Sequence, residues 1–249
     1  MKLVRHLGLG MIFLAVLGGC TPAPANSTGR PPFEIIEMQI TPALEHWLPA
    51  VASCADGLPN FGVYTQVLAR NQLELQEADL ILRLGQRMDS DPHAAIMGYE
   101  NLVVFTGDIV PVDTISLVSL QSIFTGEITN WEDVPEVIQD GLVINQEILT
   151  LAYPKNHELR VLFMRIFLDE QTIQSFPQIF STINALEIIL AENPYAIGFG
   201  LQSQLPDNGK LLEITDENVL PIQQYVLAIT AQEPEGNLEQ LLLCLQSNN

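Results

Sequence analysis

The sequence predicts an α/β protein behind an export signal, on three observations. From Phe33 onward short β-rich runs alternate with stretches of helical periodicity, the pattern of helices packed on a sheet. The chain has 249 residues, 47% hydrophobic and 16% charged, which is enough for two modest domains with real cores and excludes disorder as the main state. Lys2 and Arg5 precede an apolar run from Leu7 to Leu17, too short to span a bilayer and suited to the core of a signal peptide.

The elements follow in order. Thr41-Pro42 is a cap followed by a first-turn proline, and Leu44, Trp47, Leu48 and Val51 recur at helical spacing, so a helix is expected over 41–51 with Pro49 as a kink. Phe61–Val67 and Asp79–Leu84 read as strands, the second ending at Gly85, with a short helix or turn over Asn71–Ala78 between them. Asn101–Phe105 (NLVVF) is a buried strand, and Leu117, Leu120, Ile123 and Phe124 mark a helix that stops at Gly126. Trp131 falls in a turn. After a strand at Ile148–Tyr153, Leu159, Leu162, Phe163, Ile166 and Phe167 line one face of an amphipathic helix for which Asn156 is the expected N-cap. A helix over 181–191, strands at Tyr195–Gly200, Leu211–Ile214 and Tyr225–Ile229, and a last helix capped near Asn237 complete the chain.

Charge and composition exclude several functions. Ten Lys+Arg against 30 Asp+Glu give a net charge of −20, so phosphate-rich polymers are repelled and no nucleic-acid partner is expected. His6, His46, His93 and His157 lie too far apart for a local metal motif, and neither a metal nor another cofactor is expected. No GxSxG, P-loop, paired-carboxylate or Cys/His spacing points to a reaction, so the chain is not expected to be an enzyme.

The apolar run ends in Leu17-Gly18-Gly19-Cys20, which resembles the lipobox of bacterial lipoproteins. The resemblance implies removal of residues 1–19, a lipid on Cys20 and an extracytoplasmic protein anchored to the membrane. Residues 20–32 then form a flexible tether, because TPAPANSTGRPP offers no large apolar side chain to bury. Removing the leader takes away Lys2 and Arg5 and no acid, so the mature protein is still more acidic.

The segment Leu120–Val134 (LQSIFTGEITNWEDV) resembles the second-domain signature of phosphate-type substrate-binding proteins of ABC transporters. NLVVF before it, the capped helix ending at Leu168 after it, and Pro194–Phe199 (PYAIGF) later occur in the same order as in that family. The resemblance implies a two-lobed type II periplasmic-binding-protein fold with a ligand cleft between lobes joined near Phe105–Thr106 and Gly198–Gly200. One lobe is then discontinuous, 33–105 plus 200–249, and the other is 106–199. Within the signature, Ile123, Phe124 and Trp131 are expected in the core, since large apolar side chains at these spacings are normally buried.

The same resemblance implies a monomer that captures a small anionic solute and presents it to an ABC permease. The expected ligand-binding residues are Thr41 at the first helix start, Gly85, Gln86 and Arg87 after a strand, Thr106 at the crossing, and Tyr153, Asn156, His157 and Arg160 around the second helix start. Helix N-termini expose donors that suit an anion, and the Arg160 fork suits a carboxylate or oxyanion. Three of them have a plainer reading beside this one: Thr41 as a cap, Arg87 and His157 as solvated surface. Family members that bind phosphate carry Ser/Gly/Thr-rich loops at both helix starts. Here the first reads Glu37-Met38-Gln39-Ile40-Thr41-Pro42 and the second Tyr153-Pro154-Lys155-Asn156-His157-Glu158-Leu159-Arg160. These departures leave a second reading, a sensor or scaffold lipoprotein whose site has degenerated.

With Cys20 lipidated, Cys54 and Cys244 remain as a pair in a compartment where disulfides persist, and the implied topology returns the last helix to the lobe that holds Cys54. Two buried free thiols are the other possibility.

Overall fold

A computed structural model describes residues 32–139, 144–216 and 222–247. The export signal, Cys20 and the tether up to residue 31 lie outside the described residues.

The first strand, β1 (Glu34–Ile40), is one that periodicity does not single out, because Glu34, Glu37 and Gln39 interrupt its apolar residues. Gln39 nevertheless lies inside, its side-chain oxygen accepting the Glu74 N–H at 2.8 Å, so a satisfied polar group fills a core position. A 3-10 turn over Pro42–Trp47 then runs into α1 (Leu48–Asp56). The helix expected over 41–51 is thus two segments that meet at Trp47. Pro49 sits in the first turn of α1, where a missing N–H breaks no intrahelical bond, and it produces no kink.

β2 (Phe61–Val67), a 3-10 turn at Arg70–Gln72 and β3 (Leu80–Leu84) follow as expected. β4 (His93–Gly107) is 15 residues long, so Asn101–Phe105 is only its second part. Its first half mixes exposed, half-buried and buried residues, and its apolar run Ala94–Met97 ends at a glycine. Next come β5 (Thr114–Ile115), α2 (Leu117–Thr125), a turn at Trp131–Asp133, α3 (Pro135–Gln139), β6 (Leu151–Ala152) and α4 (Glu158–Phe167). The chain closes with β7 (Gln178–Ile179), α5 (Ile183–Glu192), β8 (Ile197–Leu201), β9 (Gly209–Ile214), β10 (Ile222–Thr230) and α6 (Gly236–Ser247). α2 stops at Gly126, whose φ of 83° turns its N–H back onto the Ile123 and Ser122 carbonyls. α6 begins at Gly236, so Asn237 lies in its first turn instead of capping it, and its side chain donates to Glu34 Oε2 at 2.6 Å.

The main sheet runs β2-β1-β3-β10-β4-β9-β5, with β8 also on β4. β1 is parallel to β2 and β3, while β10 lies antiparallel between β3 and β4. The far half of β4 pairs antiparallel with β8, from Leu102 against Leu201 to Thr106 against Ile197, and with β9. Cys54 and Cys244 are disulfide-bonded, joining α1 to α6 with the Cα atoms 5.8 Å apart.

Ile123, Phe124 and Trp131 are fully buried, and the Trp131 indole donates to the Tyr195 carbonyl at 2.8 Å. The signature segment therefore builds the core, as its spacing predicts. Phe163 stacks on Phe199 at 3.9 Å between ring centres, and Phe124 packs edge-on against both. This aromatic block fixes α4 against β8 and so aims the start of α4.

Candidate functional site

The residues that follow β1 and those that precede α4 face each other across a pocket of about 260 Å³. Pro42, His46, Tyr153, His157, Thr182 and Gln204 are among its lining residues. Local chemistry explains how each is held. His46 Nε2 meets Glu100 Oε1 at 2.7 Å, Trp47 donates to the same oxygen at 3.3 Å, and Ser203 donates to Glu100 Oε2 at 2.7 Å. Burial alone would raise the Glu100 carboxyl, but the hydrogen bonds from His46, Ser203 and Trp47 together outweigh it and hold the group below its ordinary range. Gln204 donates to the Ala43 carbonyl at 3.2 Å and also contacts His46 Nδ1, so the His46 ring is fixed on both sides.

On the α4 side, the Tyr153 ring stacks on His157 at 4.1 Å and 17° and packs against Phe180 and Phe199. Tyr153 is buried, burial raises its phenol above the ordinary value, and its hydroxyl finds no hydrogen-bond partner among the described residues. The N-cap of α4 is His157, whose Nδ1 accepts the Leu159 N–H at 3.3 Å. Asn156, the expected cap, is exposed one position too early.

Capping requires the unprotonated Nδ1, and burial lowers the His157 pKa to about 4. Between pH 6.5 and 4 the unfolded chain therefore takes up a proton that the folded chain refuses, and stability falls as pH drops through that window. Allowing for partial exposure of the ring, the loss at pH 4.5 relative to pH 7 is expected to be about 2 kcal/mol. Urea titrations at the two pH values check this: His157→Asn, which keeps a capping side chain, should show about 2 kcal/mol less acid loss than the wild type. Equal acid losses in both proteins would contradict it.

An ionic cluster joins the end of β3 to the start of α4. Arg70 and Arg83 both donate to the Leu84 carbonyl, at 2.8 and 3.2 Å, at the end of β3. Gly85, with φ of 106°, turns the chain there, and a Cβ on it would stand 3.2 Å from the Arg70 guanidinium. Arg83 is paired with Asp91 and buried; burial and the neighbouring Arg70 charge lower its pKa, and Asp91 only partly offsets them. Arg70 Nη1 lies 3.1 Å from Glu158 Oε1, the first residue of α4. The Glu158 side chain is 1% exposed, and burial raises its carboxyl above the ordinary range even though Thr41, Arg70 and Arg83 favour the anion. Thr41 is fully buried in the cap position of the 3-10 turn, but its side chain makes no cap bond. Its Oγ1 stands beside Glu158 without bonding geometry, and neither Oγ1 nor Glu158 Oε2 has a hydrogen-bond partner among the described residues.

The structure thus brings Tyr153 and His157 together on the pocket, while Thr41 and Gly85 belong to the neighbouring ionic cluster, beside Glu158 and Arg70. The others lie elsewhere. Arg160 is buried and donates to the Tyr153 carbonyl at 3.0 Å, facing a separate cavity with Pro154, Ile173 and Phe176. Being two residues past Glu158 on a helix, it points to another side. Arg87 donates to the Asp91 and Pro92 carbonyls of its own loop, and exposed Gln86 offers only its carbonyl, to Arg83. Thr106 is fully buried within β4, its hydroxyl without a partner among the described residues. Sequence reasoning misses Arg70, Arg83, Glu158, His46 and Gln204. One signal was available: Arg83 interrupts the apolar run Leu80–Leu84, and a charge in such a strand needs a buried partner.

No protein-family model matches the sequence, and no curated protein matches it. Solved structures do match the fold. An ABC-type phosphate transport receptor from Vibrio cholerae is 14% identical with a TM-score of 0.64, over 85% of this chain and 93% of the other. A putative phosphate ABC transporter substrate-binding protein from Clostridium perfringens, solved with bound phosphate, is 15% identical with a TM-score of 0.65, over 85% and 92%. The CcmR regulatory domain of Synechocystis PCC6803, solved in complex with 2-PG, is 12% identical with a TM-score of 0.60, over 86% and 97%. With its mixed sheet and the pocket between the two helix starts, the chain has the two-lobed α/β fold of type II periplasmic binding proteins, the fold shared by phosphate-type receptors.

Proposed function

We propose that the chain is an extracytoplasmic solute-binding lipoprotein that captures a small polar solute between its lobes and presents it to an ABC permease. In this reading residues 1–19 are removed, Cys20 carries the lipid, residues 20–32 are the tether, and the lobes are 33–105 plus 200–249 and 106–199. The protein acts as a monomer and needs no catalytic step. The observation that carries the reading is the pocket itself. It lies between chain segments that come from different lobes on these boundaries, and it is lined by polar side chains held in place, His46, His157 and Gln204 among them. A concave site with a few convergent polar groups suits a small polar solute. The fold shared with phosphate-type receptors supports the same reading.

A second reading, a sensor that signals without transport, is favoured by the Arg70–Glu158 pair, which joins the two proposed lobes directly. The likeness to a regulatory domain supports it too. A thermal-shift screen of polar solutes against the mature protein tests solute capture. A binding solute is expected to raise the melting temperature in proportion to RT ln(1 + [L]/Kd), and a screen in which no solute does so would overturn the reading.

A further inference from the structure

We infer that the Glu158 carboxylate is the cleft's own anion, holding the place an oxyanion would take, and that this side chain excludes inorganic phosphate from the wild-type site. The inference deepens the solute-binding reading and rests on it. Four observations support it.

Two guanidinium groups converge on one carbonyl, Leu84 O, an arrangement that like charge opposes unless an anion is shared nearby. Glu158 supplies that anion at 3.1 Å from Arg70. It does so from the first position of α4, a ten-residue helix whose N-terminal N–H groups favour negative charge. The Thr41 hydroxyl stands beside it, and neither that hydroxyl nor Glu158 Oε2 has a hydrogen-bond partner among the described residues. An arginine, a hydroxyl and a helix N-terminus form a set of donors that suits an oxyanion, and the side-chain carboxylate beside them is Glu158.

The remaining charges leave a second anion nothing to pair with. The described residues lining the pocket include no Arg or Lys; they do include Glu45. Arg83 is committed to Asp91, and His46 to Glu100. A phosphate entering the pocket would give up its hydration and meet the Glu45 carboxylate with no lining Arg or Lys to pair with, so the cleft selects uncharged or cation-bearing polar solutes. The anion expected from the sequence is present, as part of the chain.

Calorimetric titration of inorganic phosphate tests this on wild type, Glu158→Ser and the double variant Arg70→Ala/Glu158→Ser. Wild type is expected to show no binding at about 1 mM phosphate. Glu158→Ser should bind at least about 30-fold tighter than wild type, the worth of a freed charge-assisted hydrogen bond, and the double variant should lose that gain. Wild type binding phosphate at micromolar concentration, or a folded Glu158→Ser that binds no better than wild type, would overturn the inference. If Glu158→Ser does not fold, the isosteric Glu158→Gln is read in its place, with a gain of about tenfold as the criterion, since its amide keeps the bulk and loses only the charge. Phosphate binding by wild type would leave solute capture standing. A gain in Glu158→Ser beside a silent solute screen would overturn solute capture and leave the role of Glu158 intact.

Discussion

Breaking the Cys54–Cys244 disulfide is expected to lower stability by as much as about 5 kcal/mol, because the bond closes a loop of 190 residues and removes the corresponding entropy from the unfolded chain. Residual structure in the reduced, unfolded chain makes this an upper figure. The bond joins α1 to α6, so without it the last helix is held by the packing of Leu241, Leu242 and Leu245 and by two side-chain hydrogen bonds, Asn237 to Glu34 and Gln246 to the Ile96 carbonyl. Denaturant titrations of oxidised and reduced protein, or of Cys54→Ser/Cys244→Ser, measure the difference. A loss under about 1 kcal/mol would contradict the entropic account.

Arg70→Ala is expected to cost about 3 kcal/mol, through the carboxylate it strands more than through the contact it removes. Glu158 is 1% exposed, and a buried charge that loses its partner carries its desolvation cost uncompensated. Arg70 itself is 35% exposed, which places the expected loss at the low end of the range for buried pairs. Adding Glu158→Gln to Arg70→Ala should recover about half of the loss, because an amide is far cheaper to leave buried than a carboxylate. A urea series over the four proteins of the cycle reads both effects. Independent, additive losses would show that the two side chains are not coupled.

How much was legible in the sequence follows from the range of each interaction. The strand Leu80–Leu84 and the face of α4 could be read because their apolar spacing is a local property. β1 was hidden by its acids and by Gln39, whose burial depends on Glu74 in a different segment. His157 was within reach because a helix start is marked locally, and only its neighbour Asn156 took the cap in error. The core of the site was not within reach: Arg70 and Glu158 are 88 residues apart, and no local pattern links them. Arg160 illustrates the opposite failure. Its place beside a helix start suggested a ligand contact, but its position on the helix turns it to the Tyr153 carbonyl.

On the proposed function, one polar solute is held in the pocket between the turn after β1 and the start of α4. Ser181 lines that pocket and is exposed, so Ser181→Trp should fill the entrance without disturbing the core. Calorimetry with the solute that most stabilises the wild type is the direct test. One site per chain is predicted in wild type, with no measurable binding to a folded Ser181→Trp. Equal binding to both proteins would place the solute elsewhere and contradict the account.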